Sequence, residues 1–439
     1  TEEHKDRILE AFGAVVREIR AGGFDFRRSP SAVRTGEGGT DDGGTLAAAQ
    51  GTPVTMALSA EEKRVYVNSR MRGGNEAYQV PFRLHFDGRL DPSRVDAAFR
   101  AIARRHPKLR SRYEVDSDDV VCRVLPDVEP EVHLFEGASP EEVASAMNAP
   151  LDLARAPLWR YGIVVGEDGT DDLVVSFHHI IVDGRGLELI VDELADHLTN
   201  GRLTSTEEPA DYAEYVRTRS ELPGRSGYEE HRRWWLREFE TLPPPLAVPT
   251  DAPLPAINDF SGHHYYTEID PRVHKAATAV IHRHRTTPFL FYLSLWSVLL
   301  ARTSGESDLC VGVPLDQRAL GPFDGTVGMF AQSLPLRLRP TPETRLSDYL
   351  RRVRDTGLAA IEHAHYPYET LIEELDLERD YGRNALFDTM FIYTNARERA
   401  RRFGELNATT EDFGMSGSML ALTLELTERD GGLFVDLNH

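Results

Sequence analysis

At 439 residues the chain exceeds the ~250–300 residues at which one hydrophobic core stops growing, and 41% hydrophobic content is enough to fill two lobes. A formal charge of −21 argues against a nucleic-acid partner, which needs a basic surface, and against adsorption to anionic membranes. No apolar run reaches the ~20 residues that span a bilayer, and Thr1-Glu2-Glu3-His4-Lys5 lacks the apolar core of a signal peptide, so a cytoplasmic protein is expected.

In chain order, the spacing of Ile8, Leu9, Phe12, Val15, Val16 and Ile19 predicts a helix over Asp6–Ala21. The Gly/Thr-rich stretch Thr35–Gly44 then reads as a flexible linker, so residues 1–54 are assigned as a helix and linker, either a docking element or a helix packed on the main body. A first lobe, 55–222, has expected strands at Gln79–Phe86, Leu109–Val115, Val120–Leu125, Trp159–Val165 and Leu173–Phe177. Its expected helices are Pro92–Arg105, Pro140–Met147 and Arg185–Leu198. Tyr212–Phe239 reads as one helix, and Pro243-Pro244-Pro245 marks a connector. The second lobe, 223–439, repeats the mixed pattern. Strands are expected at His264–Glu268, Leu309–Val313, Leu334–Leu338, Thr389–Tyr393, Met419–Leu426 and Leu433–Leu437, with helices at Arg272–Arg285, Pro288–Arg302 and Leu346–Glu362. Strands and helices interleave without strict alternation, which favours α/β lobes of the α+β sandwich kind over a parallel doubly wound sheet. Cys122 and Cys310 fall in separate strand-like runs and are expected as buried free thiols. The missing initiator methionine and the abrupt Leu437-Asn438-His439 end suggest a piece excised from a larger polypeptide.

Chemistry concentrates at His178-His179-Ile180-Ile181-Val182-Asp183-Gly184, which ends the run Leu173-Val174-Val175-Ser176-Phe177. Neighbouring strand residues point to opposite faces, so one histidine can face a cleft while the other is buried. Asp183 is placed to cap the following helix or to anchor the loop through a buried ion pair, and Gly184 permits close backbone approach or unusual dihedrals. A histidine near its unperturbed pKa can take a proton from an attacking amine or hydroxyl and return it to a leaving group. Zinc is disfavoured because no second His/Cys cluster accompanies the pair, and a serine hydrolase because no Gly-x-Ser-x-Gly elbow occurs.

The segment resembles the signature of the condensation domains of nonribosomal peptide synthetases, a branch of the chloramphenicol-acetyltransferase-like acyltransferases. Further stretches resemble the family's motifs in order: Leu58–Tyr66, with Glu62 and Tyr66 where glutamine and tryptophan are usual, Arg105–Tyr113, Asp211–Tyr215, Val327–Arg337, His365–Glu369 and Arg383–Phe387. The resemblance implies two acetyltransferase-like lobes in a V-shaped pseudo-dimer with a central tunnel. It implies catalytic duty for His179, mainly structural roles for His178 and Asp183, an ion pair between Asp183 and Arg318, and a place for Gly184 along the tunnel. Gln332, in place of asparagine, with Ser333 and Arg185, falls at the substrate tunnel. The implied partners are acyl or peptidyl carrier proteins at a donor and an acceptor face, each delivering a phosphopantetheine thioester, with no tightly bound cofactor or metal. The protein is expected as a monomer or as part of a multidomain synthetase. The implied reaction is amide formation, with two alternatives: ester-forming or chain-releasing transfer to an alcohol or free amine, and a non-catalytic carrier-docking domain. The heterocyclisation variant is disfavoured by the intact histidines, which it replaces with aspartates, and both it and the epimerisation variant by the absence of their extra motifs. The basic stretches Arg100–Arg112 and Arg397–Arg402 are candidate carrier contacts, weighed against ordinary solvated surface.

Overall fold

A computed structural model describes residues 53–439 apart from 117–118, 251–254, 378–379, 381, 396–400, 412, 415–416 and 430. The expected helix at 6–21 and linker at 35–44 lie outside the described residues, as do the first residues of the second basic stretch.

The first half opens with β1 (Val54–Met56), the helix Ala60–Ser69 and β2 (Gln79–Phe86). The helix Pro92–Arg105 starts where local chemistry dictates: the Asp91 side chain accepts the Ser93 N–H and Pro92 supplies a preset φ. Its stripe Val95, Ala98, Phe99, Ile102 and Ala103 is buried. Next come β3 (Ser111–Asp116), β4 (Asp119–Val124), β5 (Glu131–Glu136), the helix Pro140–Met147, β6 (Trp159–Val165), β7 (Asp171–His178) and the helix Gly184–Asn200. Leu109 and Arg110 belong to a 3-10 turn, Pro107–Arg110, rather than to the expected strand, because Pro107 opens a tight turn that β3 then leaves. The expected helix 212–239 is two helices, Tyr212–Ser220 and Tyr228–Glu238. Leu222-Pro223-Gly224 and Gly227, at φ 89°, break it, since proline lacks the N–H that a continuous helix needs.

The second half contributes β8 (His264–Glu268), helices Pro271–His284 and Pro288–Ser304, β9 (Leu309–Asp316), β10 (Ala331–Leu338) and the helices Leu346–Glu362 and Tyr368–Glu374. It closes with β11 (Thr389–Asn395), β12 (Arg401–Phe403), β13 (Leu406–Glu411), β14 (Leu422–Arg429) and β15 (Gly432–Asn438). Two six-stranded mixed sheets result, ordered β12-β13-β2-β7-β6-β5 and β10-β9-β11-β14-β15-β8, beside a small sheet β1-β4-β3. The sheets are open and flanked by helices, the α/β architecture expected. β7, the strand that delivers the histidines, lies between β2 and β6, with Gln79 opposite His178. Its Leu173, Val174, Val175 and Phe177 are fully buried.

Each large sheet has its own core, and the cores are not divided cleanly by chain position. Phe323, Val327, Met329, Phe330, Phe403 and Ala408, all from the second half, pack in the core of the first sheet. β13 pairs antiparallel with β2, so a hairpin from the second half completes the first sheet. Cys122 and Cys310 are buried free thiols in different sheets. No helix among the described residues is long and apolar enough to cross a membrane.

Candidate active site

At the end of β7 the chain makes a tight turn. The Ile181 N–H donates to the His178 carbonyl at 3.1 Å and the Val182 N–H to the His179 carbonyl at 3.3 Å. The two histidines diverge as strand geometry requires. His178 is fully buried. Its Nδ1 accepts the Ile180 N–H at 3.2 Å, so the ring proton sits on Nε2, 3.3 Å from Ser69 Oγ. Burial, and secondarily the neighbouring His179, push this imidazole down to about 3, so it stays neutral. His179 is only part-buried. Its Nδ1 lies 2.7 Å from the Val182 carbonyl oxygen. A carbonyl oxygen only accepts, so Nδ1 carries the proton and Nε2 keeps a free lone pair. That tautomer is a ready proton acceptor on the more exposed of the two rings.

Asp183 fills both roles that the sequence left open. Its Oδ1 accepts the Gly186 N–H at 2.8 Å and caps the helix Gly184–Asn200. The same carboxylate forms a bidentate pair with Arg318, Nη2 to Oδ1 and Nη1 to Oδ2, both 2.8 Å. Oδ2 also accepts the Phe330 N–H at 3.0 Å. Arg318 and Asp183 are 3% and 4% exposed, which makes this a fully desolvated ion pair between the two halves of the chain. Arg318 is further fixed by the Thr326 carbonyl, by Asp316 at 3.1 Å and by the Phe330 ring 4.2 Å away. Burial is the largest single influence and works against the guanidinium charge, but the hydrogen bonds and charges of Asp183 and Asp316 together outweigh it, and the balance lies above the ordinary arginine value.

Gly184 has no positive φ, and a Cβ there would meet nothing within 4 Å. The expectation of an unusual dihedral at Gly184 is therefore corrected: position 184 faces open space. The crowded glycine is Gly186, whose Cβ would lie 2.9 Å from Val182 Cγ2 and 3.2 Å from Asp183 Oδ1. Arg185 is exposed and pairs with Glu188 at 2.7 Å. Gln332 is 1% exposed, and its Oε1 has no hydrogen-bond partner among the described residues. Ser333 Oγ accepts from Arg64 Nη1 at 3.0 Å, and Arg64 Nε stands 3.3 Å from Glu369 Oε1. Arg64 thus ties the first helix to β10 and to the helix Tyr368–Glu374. It falls inside the Leu58–Tyr66 motif without standing out there; a charged side chain at helical spacing beside the buried Glu61 and Val65 is the signal.

The stretch Arg100–Arg112 is not a free basic patch. Arg100 pairs with Asp96 and Glu129, both 2.6 Å, and Arg105 pairs with Glu193 at 2.8 Å. Lys108 is fully buried, and Arg110 donates to the Ala103 and Leu125 carbonyls. Arg401 pairs with Asp192 at 3.5 Å, and Arg402 donates to the Gly404 carbonyl at 2.8 Å. Neighbouring carboxylates neutralise most of the charge of Arg100–Arg112, so that stretch does not present a bare positive surface; of the second stretch only Arg401 and Arg402 are described.

A model of the condensation-domain family matches residues 54–439. Tyrocidine synthase 2 of Brevibacillus parabrevis is 30% identical over 386 residues, covering 87% of this chain but 11% of that protein. The chain therefore spans a small part of the length of such relatives. Among solved structures, the condensation domain of the Monacolin K polyketide synthase aligns with a TM-score of 0.78 at 21% identity, over 88% of this chain and 92% of that one. The first condensation domain of the calcium-dependent antibiotic synthetase, in complex with a substrate analogue, aligns with a TM-score of 0.74 at 20% identity, over 88% and 91%. These two likenesses establish a common fold.

Proposed function

The chain belongs to the condensation-domain family, and from that premise we propose that it joins a carrier-tethered acyl or aminoacyl thioester to an acceptor amine, as an acyltransferase of nonribosomal peptide assembly in the cytoplasm. The observation that carries this reading is the His179 ring, with Nδ1 committed to the Val182 carbonyl and Nε2 without a hydrogen-bond partner among the described residues.

The acceptor nitrogen attacks the thioester carbonyl carbon while its N–H proton passes to His179 Nε2. The tetrahedral intermediate collapses, the C–S bond breaks, and the proton on Nε2 goes to the departing thiolate. Amide and free thiol result, and the histidine returns to its starting tautomer. The Nδ1–H bond to Val182 persists throughout and supports the transient imidazolium. Asp183, Arg318 and His178 hold the loop. Gly184, with open space at its Cα, leaves room for the phosphopantetheine arm, and Arg185 lies at the rim. Gln332, beside Ser333, offers a buried acceptor for the incoming N–H, because a buried amide oxygen left unpaired is costly unless a ligand satisfies it. Two carrier proteins, one per face, supply donor and acceptor. The amide at Gln332 in place of asparagine keeps ester formation onto an alcohol as the second reading.

The test offers one aminoacyl phosphopantetheine thioester with an amine acceptor and its isosteric alcohol. Amide is the expected product, and ester alone would replace the first reading with the second. His179→Ala is expected to lose about 10²–10⁴ in rate with an unchanged melting temperature, since the ring is part-exposed and makes one hydrogen bond. Wild-type turnover by that variant would remove the base assignment.

A further inference from the structure

Behind the His179 turn lies a buried ion pair that the chemistry above does not use. Glu62, in the first turn of the helix Ala60–Ser69, and Lys108, in the turn Pro107–Arg110, are both 0% exposed and in direct contact. Glu62 Oε2 accepts the Ser59 N–H at 2.9 Å, closing a capping box, which leaves Oε1 for Lys108. Lys108 Nζ also donates to Tyr113 Oη at 2.6 Å. Tyr113 Oη in turn lies 2.7 Å from Glu62 Oε1 and 3.2 Å from the carbonyl oxygen of Ile180, the residue after His179. The Tyr212 ring covers the ammonium at 4.7 Å, and Tyr212 Oη donates to the Met329 carbonyl at 2.8 Å, one residue before the N–H that holds Asp183. Burial opposes the Lys108 charge, the Cys122 sulfur and the Glu62 carboxylate favour it, and the outcome lies above the ordinary lysine value.

A desolvated pair of this kind adds little stability over apolar side chains of the same volume, so stability alone does not account for it. Its position offers another account. With Lys108 donating to Oη, the single tyrosine proton must point away from the ammonium, toward Glu62 Oε1 or the Ile180 carbonyl. At 2.7 Å the Glu62 carboxylate oxygen takes the larger share of that proton even while it receives Lys108, and the Ile180 carbonyl at 3.2 Å takes the weaker branch of a shared bond. That carbonyl belongs to the turn 179–182, whose far end, the Val182 carbonyl, holds His179 Nδ1.

We propose that Tyr113, its hydroxyl aligned by the Glu62–Lys108 pair, is a positioning residue that fixes the 179–182 turn and thereby the tautomer and direction of the His179 ring. The inference rests on the reading of His179 as the proton-handling group.

The measurement is the pair of ring ¹⁵N resonances of His179 in the full chain, which needs no knowledge of the natural substrate. Wild type should show a protonated Nδ1 and a bare Nε2. Tyr113→Phe, which removes one oxygen, should average the two nitrogens and slow amide formation from the thioester and amine described above about ten-fold. The double variant Glu62→Gln with Lys108→Met removes both charges together, strands neither, and should move the ¹⁵N pattern in the same direction. A lowered melting temperature with wild-type resonances and rate in Tyr113→Phe would make the cluster merely structural and overturn the proposal. If His179→Ala is inactive while Tyr113→Phe matches wild type, only this inference fails; full activity in His179→Ala removes the reading on which it rests.

Discussion

The two histidines show how one chemical group acquires opposite properties from its neighbours. His178, held near 3 by burial, binds no proton when folded at neutral pH but binds one near 6.5 when unfolded. Between those values the unfolded state carries more protons, so stability rises with pH there. His178 contributes its full share above about 6.5 and loses it progressively as pH falls toward 3. Unfolding free energies measured between about pH 7 and 4 should therefore fall by up to about 1.4 kcal/mol per pH unit more in wild type than in His178→Asn, which lacks the titrating ring. Equal slopes would show that this histidine does not titrate in that window. Asp183 makes the complementary case. Replacing it with alanine leaves buried Arg318 with only the half-exposed Asp316 as counter-charge and removes a helix cap, an expected cost of about 3 kcal/mol by denaturant titration. An unchanged midpoint would remove its structural role.

Elements whose apolar period was regular stand where the pattern put them: Gln79–Phe86, Pro92–Arg105, Pro140–Met147, Trp159–Val165, His264–Glu268 and Leu346–Glu362 coincide with the observed spans. β5 was not foreseen, because Glu131–Glu136 is an exposed edge strand with charged ends, and only pairing with β6 makes it a strand. The motif glycine Gly328 has a reason visible only in space. A Cβ there would sit 2.2 Å from the Tyr212 ring, so the Asp211–Tyr215 and Val327–Arg337 stretches were read as separate motifs but form one contact. Gly328→Ala should cost about 1–3 kcal/mol through overpacking, read as a lowered melting temperature. Gly184→Ala, with nothing within 4 Å of the new methyl, should leave it within about 1 kcal/mol of wild type.

Across the whole molecule, the two halves of the chain share their cores instead of merely touching. Phe403, 3% exposed, belongs to the second half in sequence yet packs against Phe86 of the first sheet, ring centroids 5.0 Å apart. Phe403→Ala should cost about 3–5 kcal/mol and destabilise the His179 sheet, detected as faster hydrogen exchange in β2 and β7. Exchange confined to residues 401–411 would show that the hairpin is a peripheral attachment. Taken alone, the amino-acid order determined the α/β class, most of the elements and the His178–Gly184 segment, because hydrophobic period and capping chemistry act over neighbouring residues. The ring tautomer of His179, the neutrality of His178, the neutralisation of Arg100–Arg112 and the Glu62–Lys108–Tyr113 cluster were decided by tertiary structure. The His179 tautomer follows from the fold of the turn that brings the Val182 carbonyl onto its ring, and the others depend on burial and on partners such as Glu62 and Glu193 far along the chain, so their desolvation energies exist only once those partners have met.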